Sequence, residues 1–222
     1  MKKFAIIVAG GSGSRMKSDV PKQFLLLGGK PVLYHTFKAF ATVEDVSILL
    51  VLPETQISTW ERIVEKYKIA YPHQIVTGGS SRFHSVKNGL AEIENSHGLI
   101  AVHDGVRPLI TPSLISHCYE EASVFGSAIT TLPLKDSIRK IQRDGSSIQV
   151  DREGFRMVQT PQVFRADMMK KAFDTDYHPH FTDCASVVEH AGFHVHLVEG
   201  DYKNIKITTP EDLAVAEALL RG

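Results

Sequence analysis

The sequence predicts an α/β protein with a doubly wound, mostly parallel sheet and a protruding β-hairpin arm. Three observations carry that prediction. Short apolar runs without alternation recur at residues 4–9, 46–52 and 99–103, the pattern of strands covered on both faces. Segments of helical periodicity lie between them, which is the rhythm of βαβ units. A glycine-rich stretch, Ala9-Gly10-Gly11-Ser12-Gly13-Ser14-Arg15-Met16, follows the first run directly. That is where open α/β sheets bind ligands.

Taken in order, the first strand is Phe4-Ala5-Ile6-Ile7-Val8-Ala9. Residues 31–40 place Leu33, Phe37 and Phe40 on one stripe and predict a helix. The run 46–52 is the next strand, and residues 58–67 form a helix with Trp60, Ile63, Val64 and Tyr67 aligned. A strand at 74–76 precedes a helix over 85–93, with Val86, Leu90 and Ile93 inward. Thr111-Pro112 offers an N-cap with proline at the first helical position. Thr209-Pro210-Glu211-Asp212 does the same for a last helix, with acids in its first turn. Residues 135–159 break the rhythm. Two moderately alternating polar runs, 137–141 and 147–150, flank Arg143-Asp144-Gly145, a hairpin signal. The pattern fits equally an arm leaving the body and a hairpin lying on it. No linker or repeat divides residues 1–222, so a single domain is expected.

Composition excludes several classes. Lys+Arg and Asp+Glu are both 25, a zero net charge that argues against a nucleic-acid binder. A local anion site needs only local charge. No apolar run approaches the roughly 18 residues of a membrane span. Two cysteines fit a reducing compartment. The apolar start breaks at Gly10-Gly11-Ser12-Gly13 without a cleavage site, so a cytoplasmic protein is expected. His178, His180, His194 and His196 have no cysteine or acid partners at zinc spacing.

The glycine loop matches neither of two common phosphate motifs. G-x-G-x-x-G would need glycine where Met16 stands, and the P-loop needs G-K-[ST]. What the loop does deliver is two cations, Arg15 and Lys22, the latter in Val20-Pro21-Lys22-Gln23. Glycines let backbone N–H groups converge on phosphate oxygens. Together these features predict a polyphosphate site.

Four further motifs follow in order: Gly78-Gly79-Ser80-Ser81-Arg82-Phe83-His84-Ser85-Val86, Val102-His103-Asp104-Gly105-Val106-Arg107-Pro108, Gln159-Thr160-Pro161-Gln162, and Asn204 through Asp212. With the glycine loop they span nearly the whole chain. The set resembles the sugar-phosphate nucleotidyltransferases, and among them the 2-C-methyl-D-erythritol 4-phosphate cytidylyltransferases. The resemblance implies a Rossmann-like nucleotidyltransferase fold, CTP and methylerythritol phosphate as substrates, Mg²⁺ as cofactor, and a homodimer joined through the arm. A cytidylyltransferase for another polyol phosphate, such as ribitol 5-phosphate, is the nearest alternative.

The same resemblance implies residue roles. Arg15 and Lys22 stabilise the α-phosphate, and Arg152 and Lys206 hold methylerythritol phosphate for attack. Ala9, Gly10, Gly11, Gly13, Gly79, Ser80, Ser85 and Gly105 surround CTP, with Gly105 leaving room for ribose. Asp104, Arg107, Thr160 and Asp183 contact the second substrate. Asp104, at a strand end, is also the candidate Mg²⁺ ligand; a structural pair with Arg107 is its plain alternative. Many relatives carry an acid in place of Ser80. Helix N-capping is the plain alternative for Ser80 and Ser85.

Overall fold

A computed structural model describes residues 1–11, 16, 18–94 and 97–221. Its centre is a seven-stranded sheet. The strands are β1 (Lys2–Val8), β4 (Val46–Leu52), β5 (His73–Thr77), β6 (Gly98–Asp104), β7 (Ser127–Pro133), β10 (Arg156–Arg165) and β11 (Leu197–Glu199). The order is β11-β7-β10-β6-β1-β4-β5. Parallel pairing joins β6, β1, β4 and β5, while β10 runs antiparallel to both β6 and β7. The sheet is thus mostly parallel.

Alternate residues of the strands feed two cores. Ala5, Ile7, Leu50 and Leu52 face α1 (Val32–Ala41), α2 (Glu54–Tyr67) and α4 (Pro112–Phe125), through Phe37, Phe40, Trp60 and Tyr119. Ile6, Leu49, Val51 and Val102 face α3 (Arg82–Ala91), α5 (Ala166–Phe173) and α6 (Cys184–His190), through Phe83, Met169 and Val188. Every residue of β6 is buried, as its unbroken apolar run requires. A third cluster, with Leu27, Val32, Val106, Ile207 and Ala216, seats the last helix, α7 (Pro210–Arg221). Two short strands, β2 (Leu26–Leu27) and β3 (Lys30–Pro31), precede α1.

Several boundaries move for identifiable reasons. Helix α2 starts at Glu54, straight after Pro53, four residues before the expected Ser58. Helix α3 starts at Arg82 rather than Ser85, because Ser81 is its N-cap and accepts from His84 N–H at 3.3 Å. Thr111 does cap α4, accepting from Leu114 N–H. The hairpin is present as β8 (Ile138–Ile141) and β9 (Ser147–Val150), a sheet of its own. Residues 156–159 leave the expected arm: Arg156, Met157 and Val158 pair with Pro133, Leu132 and Thr131 of the main sheet. The short edge strand β11 begins at Leu197, just after His194 and His196.

Candidate active site

The glycine loop leaves β1 at the end of the sheet where β4 and β6 also end. Ala9 is fastened on both sides: its N–H donates to Val51 O at 2.9 Å, and its carbonyl accepts from Gln23 Nε2 at 2.8 Å. Gln23 is wholly buried and also donates to Gln56 Oε1. It lies in a short 3-10 turn, Lys22–Phe24, closed by Phe24 N–H to Pro21 O. That turn brings Lys22 up against Gly11: a Cβ on Gly11 would stand 3.5 Å from Lys22 Cε. Gly13 and Arg15 lie outside the described residues.

The second glycine pair is held by the strand below and the helix after it. Gly78 N–H donates to Leu52 O at 2.8 Å, and Gly79 N–H donates to Ser85 Oγ at 3.1 Å. A Cβ on Gly79 would lie 2.4 Å from His84 Cβ, so only glycine fits. Ser85 therefore shapes this loop and caps nothing. Ser80 does not cap either; its Oγ lies 3.2 Å from His84 Nδ1.

These loops enclose a cavity of about 210 Å³ lined by Ala9, Gly10, Gly11, Lys22, Gly79, Ser80 and Ser85, with Arg82, Asp104 and Lys206 at one side. A second cavity of about 260 Å³ is lined by Arg107, Thr160 and Asp183, with Gln159, Gln162 and Thr182. Arg82, Asp104 and Lys206 line both. Asp104 lies at the centre of this junction. Lys206 Nζ is 2.9 Å from Oδ2, Arg82 Nε 3.3 Å from Oδ1 and Arg107 Nε 3.6 Å from Oδ2. Burial alone would raise its pKa. The three cations, Arg82 foremost, outweigh that and hold the carboxyl far below the usual carboxylate range. The pair with Arg107 is thus one part of a four-membered cluster.

Among the described residues that line the two cavities, four cations (Lys22, Arg82, Arg107, Lys206) face two carboxylates (Asp104, Asp183). The carboxylates are already engaged. Asp183 caps α6, accepting from Ser186 N–H at 2.9 Å, while its other oxygen accepts from Gln162 Nε2 at 2.7 Å. The surplus positive charge suits anionic ligands.

Gly105 lines neither cavity. A Cβ there would meet Ala9 Cβ at 2.8 Å and Leu33 Cδ1 at 3.0 Å. Its missing side chain makes room for packing between β6, β1 and α1. Arg152 also lines neither cavity. It is exposed and donates to Lys135 O at the root of the hairpin.

Sequence reasoning left Arg82, Gln159, Gln162 and Asn204 off the site. Arg82 stands inside the motif that begins at Gly78, so its signal was present. The other three act in a buried polar layer beneath the second cavity. Gln162 Oε1 accepts from Cys184 and Ala185 N–H, which pins the start of α6. Gln159 Nε2 donates to the carbonyls of Asp201 and Asn204, and Asn204 Nδ2 donates to Thr160 O.

A Rossmann-like sheet that carries a cation-rich cleft on a glycine loop defines a nucleotide-binding transferase. The comparisons narrow the class. The family model of 2-C-methyl-D-erythritol 4-phosphate cytidylyltransferase matches residues 4–222, and the chain belongs to that family. A 2-C-methyl-D-erythritol 4-phosphate cytidylyltransferase of Bacteroides thetaiotaomicron is 48% identical over 99% of this chain and all of its own. One from Caldanaerobacter subterraneus is 41% identical over the full length of both. Among solved structures, 4-diphosphocytidyl-2C-methyl-D-erythritol synthase from Anaerococcus prevotii superposes with a TM-score of 0.85 at 29% identity, covering 100% of this chain and 97% of that one.

Proposed function

We propose that the first cavity takes CTP and the second takes methylerythritol phosphate, so that the two substrates meet at Arg82, Asp104 and Lys206. The reaction follows from family membership: the chain is a nucleotidyltransferase that moves the cytidylyl group of CTP onto 2-C-methyl-D-erythritol 4-phosphate. An oxygen of the substrate phosphate bonds to the α-phosphorus. The bond from that phosphorus to the bridging oxygen breaks, and its electron pair leaves on pyrophosphate. The nucleophile is already an anion, so no general base is needed. Catalysis then rests on positioning and on neutralising spread negative charge.

The observation that carries this reading is the shared wall. Two cavities with different linings meet at one cluster of cations. Lys22 and, by the family likeness, Arg15 serve the α-phosphate. Lys206 and Arg107 face the incoming phosphate. The backbone polar groups of the glycine loops that their internal bonds leave over, and the Ser80 hydroxyl, line the first cavity and suit a pyrimidine edge.

Among the described residues no group of three or more His, Cys, Asp or Glu side chains could cage a metal. Asp104 is the one acidic side chain in the first cavity among those residues. With Asp104 already bridged to Arg82, Arg107 and Lys206, that donor set fits a Mg²⁺ carried by the CTP phosphates, with Asp104 as a protein ligand only where it gives up one of those bridges. When bound, the ion would neutralise phosphate charge.

We also read Arg152 as acting in trans, within a homodimer joined by the β8–β9 arm. Exposed Ile141, Ile148 and Phe155 concentrate on and just after that arm and give a partner apolar surface to cover. A cytoplasmic location fits two cysteines that are both free and buried. No helix among the described residues is long and apolar enough to cross a membrane.

Pyrophosphate release tests the assignment. With methylerythritol phosphate as acceptor, CTP should far outpace ATP and GTP. With CTP as donor, methylerythritol phosphate should outpace ribitol 5-phosphate. Equal turnover with a purine nucleotide would overturn the base pocket, and preference for ribitol 5-phosphate would overturn the second cavity.

A further inference from the structure

His103 is the next-to-last residue of β6, directly before Asp104. Its side chain has no solvent exposure, and the Phe40 ring packs on it with centroids 5.0 Å apart. No step of the transfer uses it. Yet both ring nitrogens have polar neighbours belonging to the second cavity. Nδ1 is 3.1 Å from Thr160 Oγ1, and Nε2 is 3.4 Å from the carbonyl oxygen of Arg107.

The directions of these bonds can be worked out from the groups that have no choice. A backbone carbonyl only accepts, so Nε2 must carry the proton. An imidazole this deeply buried is neutral, which leaves Nδ1 bare and able only to accept. Asp104 N–H can only donate, and it points at Thr160 Oγ1 from 3.1 Å. The Thr160 hydroxyl therefore receives from Asp104 and gives its own proton to His103. The chain closes on itself. Arg107 donates to Asn204 O at 2.8 Å, and Asn204 Nδ2 donates to Thr160 O at 2.8 Å. His103, Thr160, Asn204 and Arg107 form one buried ring under the second cavity.

We propose that His103 is a positioning residue for the second substrate: it takes the Thr160 hydroxyl proton inward, so that Thr160 meets the ligand only as an acceptor. The consequence is chemical. An oxygen with its proton committed and one lone pair left repels a phosphate oxygen and accepts from an O–H. Thr160 thus recognises a hydroxyl of the polyol, while the phosphate goes to the cations at the junction. This deepens the assignment of the second cavity to a polyol phosphate and rests on it.

The test has a spectroscopic arm and a kinetic arm, both on the full-length protein. NMR of the histidine ring nitrogens in the wild type should show His103 protonated on Nε2 and bare on Nδ1. An Nδ1–H tautomer would overturn the proposal whatever ligand the cavity takes. The kinetic arm uses two isosteres. His103→Asn puts an amide oxygen where Nδ1 stands and can still accept from Thr160. His103→Gln puts its amide where Nε2 stands and leaves Thr160 without that acceptor. His103→Gln should raise KM for methylerythritol phosphate about tenfold, the scale of one lost hydrogen bond. His103→Asn should retain most of the wild-type value, and KM for CTP should stay put in both. In a Thr160→Val background the difference between the two should vanish. Equal losses in both isosteres, or a difference that survives Thr160→Val, would overturn the proposal. If neither variant folds, the wild-type tautomer decides it. An Nε2–H tautomer with unchanged KM in Thr160→Val would overturn the hydroxyl contact and return the second cavity to another ligand.

Discussion

Lys22 is 8% exposed, and its ammonium stem lies against the glycine loop that is assigned to CTP. A cation fixed there before the reaction helps most where charge develops, on the α-phosphate in the transition state. Lys22→Ala should therefore lower kcat about 10²–10³-fold, with a smaller change in KM for CTP. Steady-state kinetics with CTP varied will separate the two. A normal kcat with a raised KM would make Lys22 a binding residue only. His103 supplies a second expectation at this scale. Burial drives its pKa down to about 3 from 6.5. Between those values the unfolded chain takes up a proton that the folded one refuses. Stability is thus greatest above about pH 6.5 and falls as pH drops toward 3. The low pKa of Asp104 acts in the same direction, below the ordinary carboxylate range. Thermal midpoints measured across that window should fall, and His103→Asn should flatten the upper part of the decline. A midpoint that holds steady from pH 6.5 to 4 would contradict the buried neutral imidazole.

The start of helix α6 shows what an element needs beyond its own propensity. Asp183 and Ser186 form a capping box, and Gln162 of β10 bonds both Asp183 and the first two N–H groups of the helix. The helix is seven residues long, too short to hold itself in water. Its packing and this polar anchor place it. Asp183→Ala removes the cap and strips the partner from a buried Gln162 amide. The expected cost is about 1–3 kcal/mol, read from urea denaturation midpoints. A variant as stable as the wild type would show that the anchor contributes nothing. Strand β10 depends on the same layer. Gln159, Thr160 and Gln162 are polar and buried within it, and each is satisfied by a partner far along the chain: Asp201, His103 and Asp183. Read alone, Gln-Thr-Pro-Gln carries no strand signal, because its polarity makes sense only once those partners surround it.

At the scale of the molecule, the hairpin arm stands as a separate two-stranded sheet, and Arg152 at its end lines neither cavity of its own chain. If the arm delivers Arg152 to a partner, Arg152→Ala should raise KM for methylerythritol phosphate and spare CTP. Mixing that variant with Lys22→Ala, under subunit exchange, should restore activity. In a mixed dimer one site then carries both lesions and the other carries neither. A mixture no better than its parents, with exchange verified, would place Arg152 in its own chain's site or in none. The sequence by itself determined the strands β1, β4 and β6, the capped start of α4, the hairpin, and the two glycine loops. Each of these rests on local physics: unbroken apolar runs, a side chain bonding its own helix, a turn dipeptide, or glycines directly after a strand, of which Gly79 tolerates no Cβ. Only the tertiary structure decided that β10 runs antiparallel through the centre, that Gly105 is small for packing, and that Arg82, Asp104 and Lys206 join two cavities. Those features depend on groups far apart in the chain, Asp104 and Lys206 standing 102 positions apart, whose burial is tolerable only when charges and hydrogen bonds meet in space.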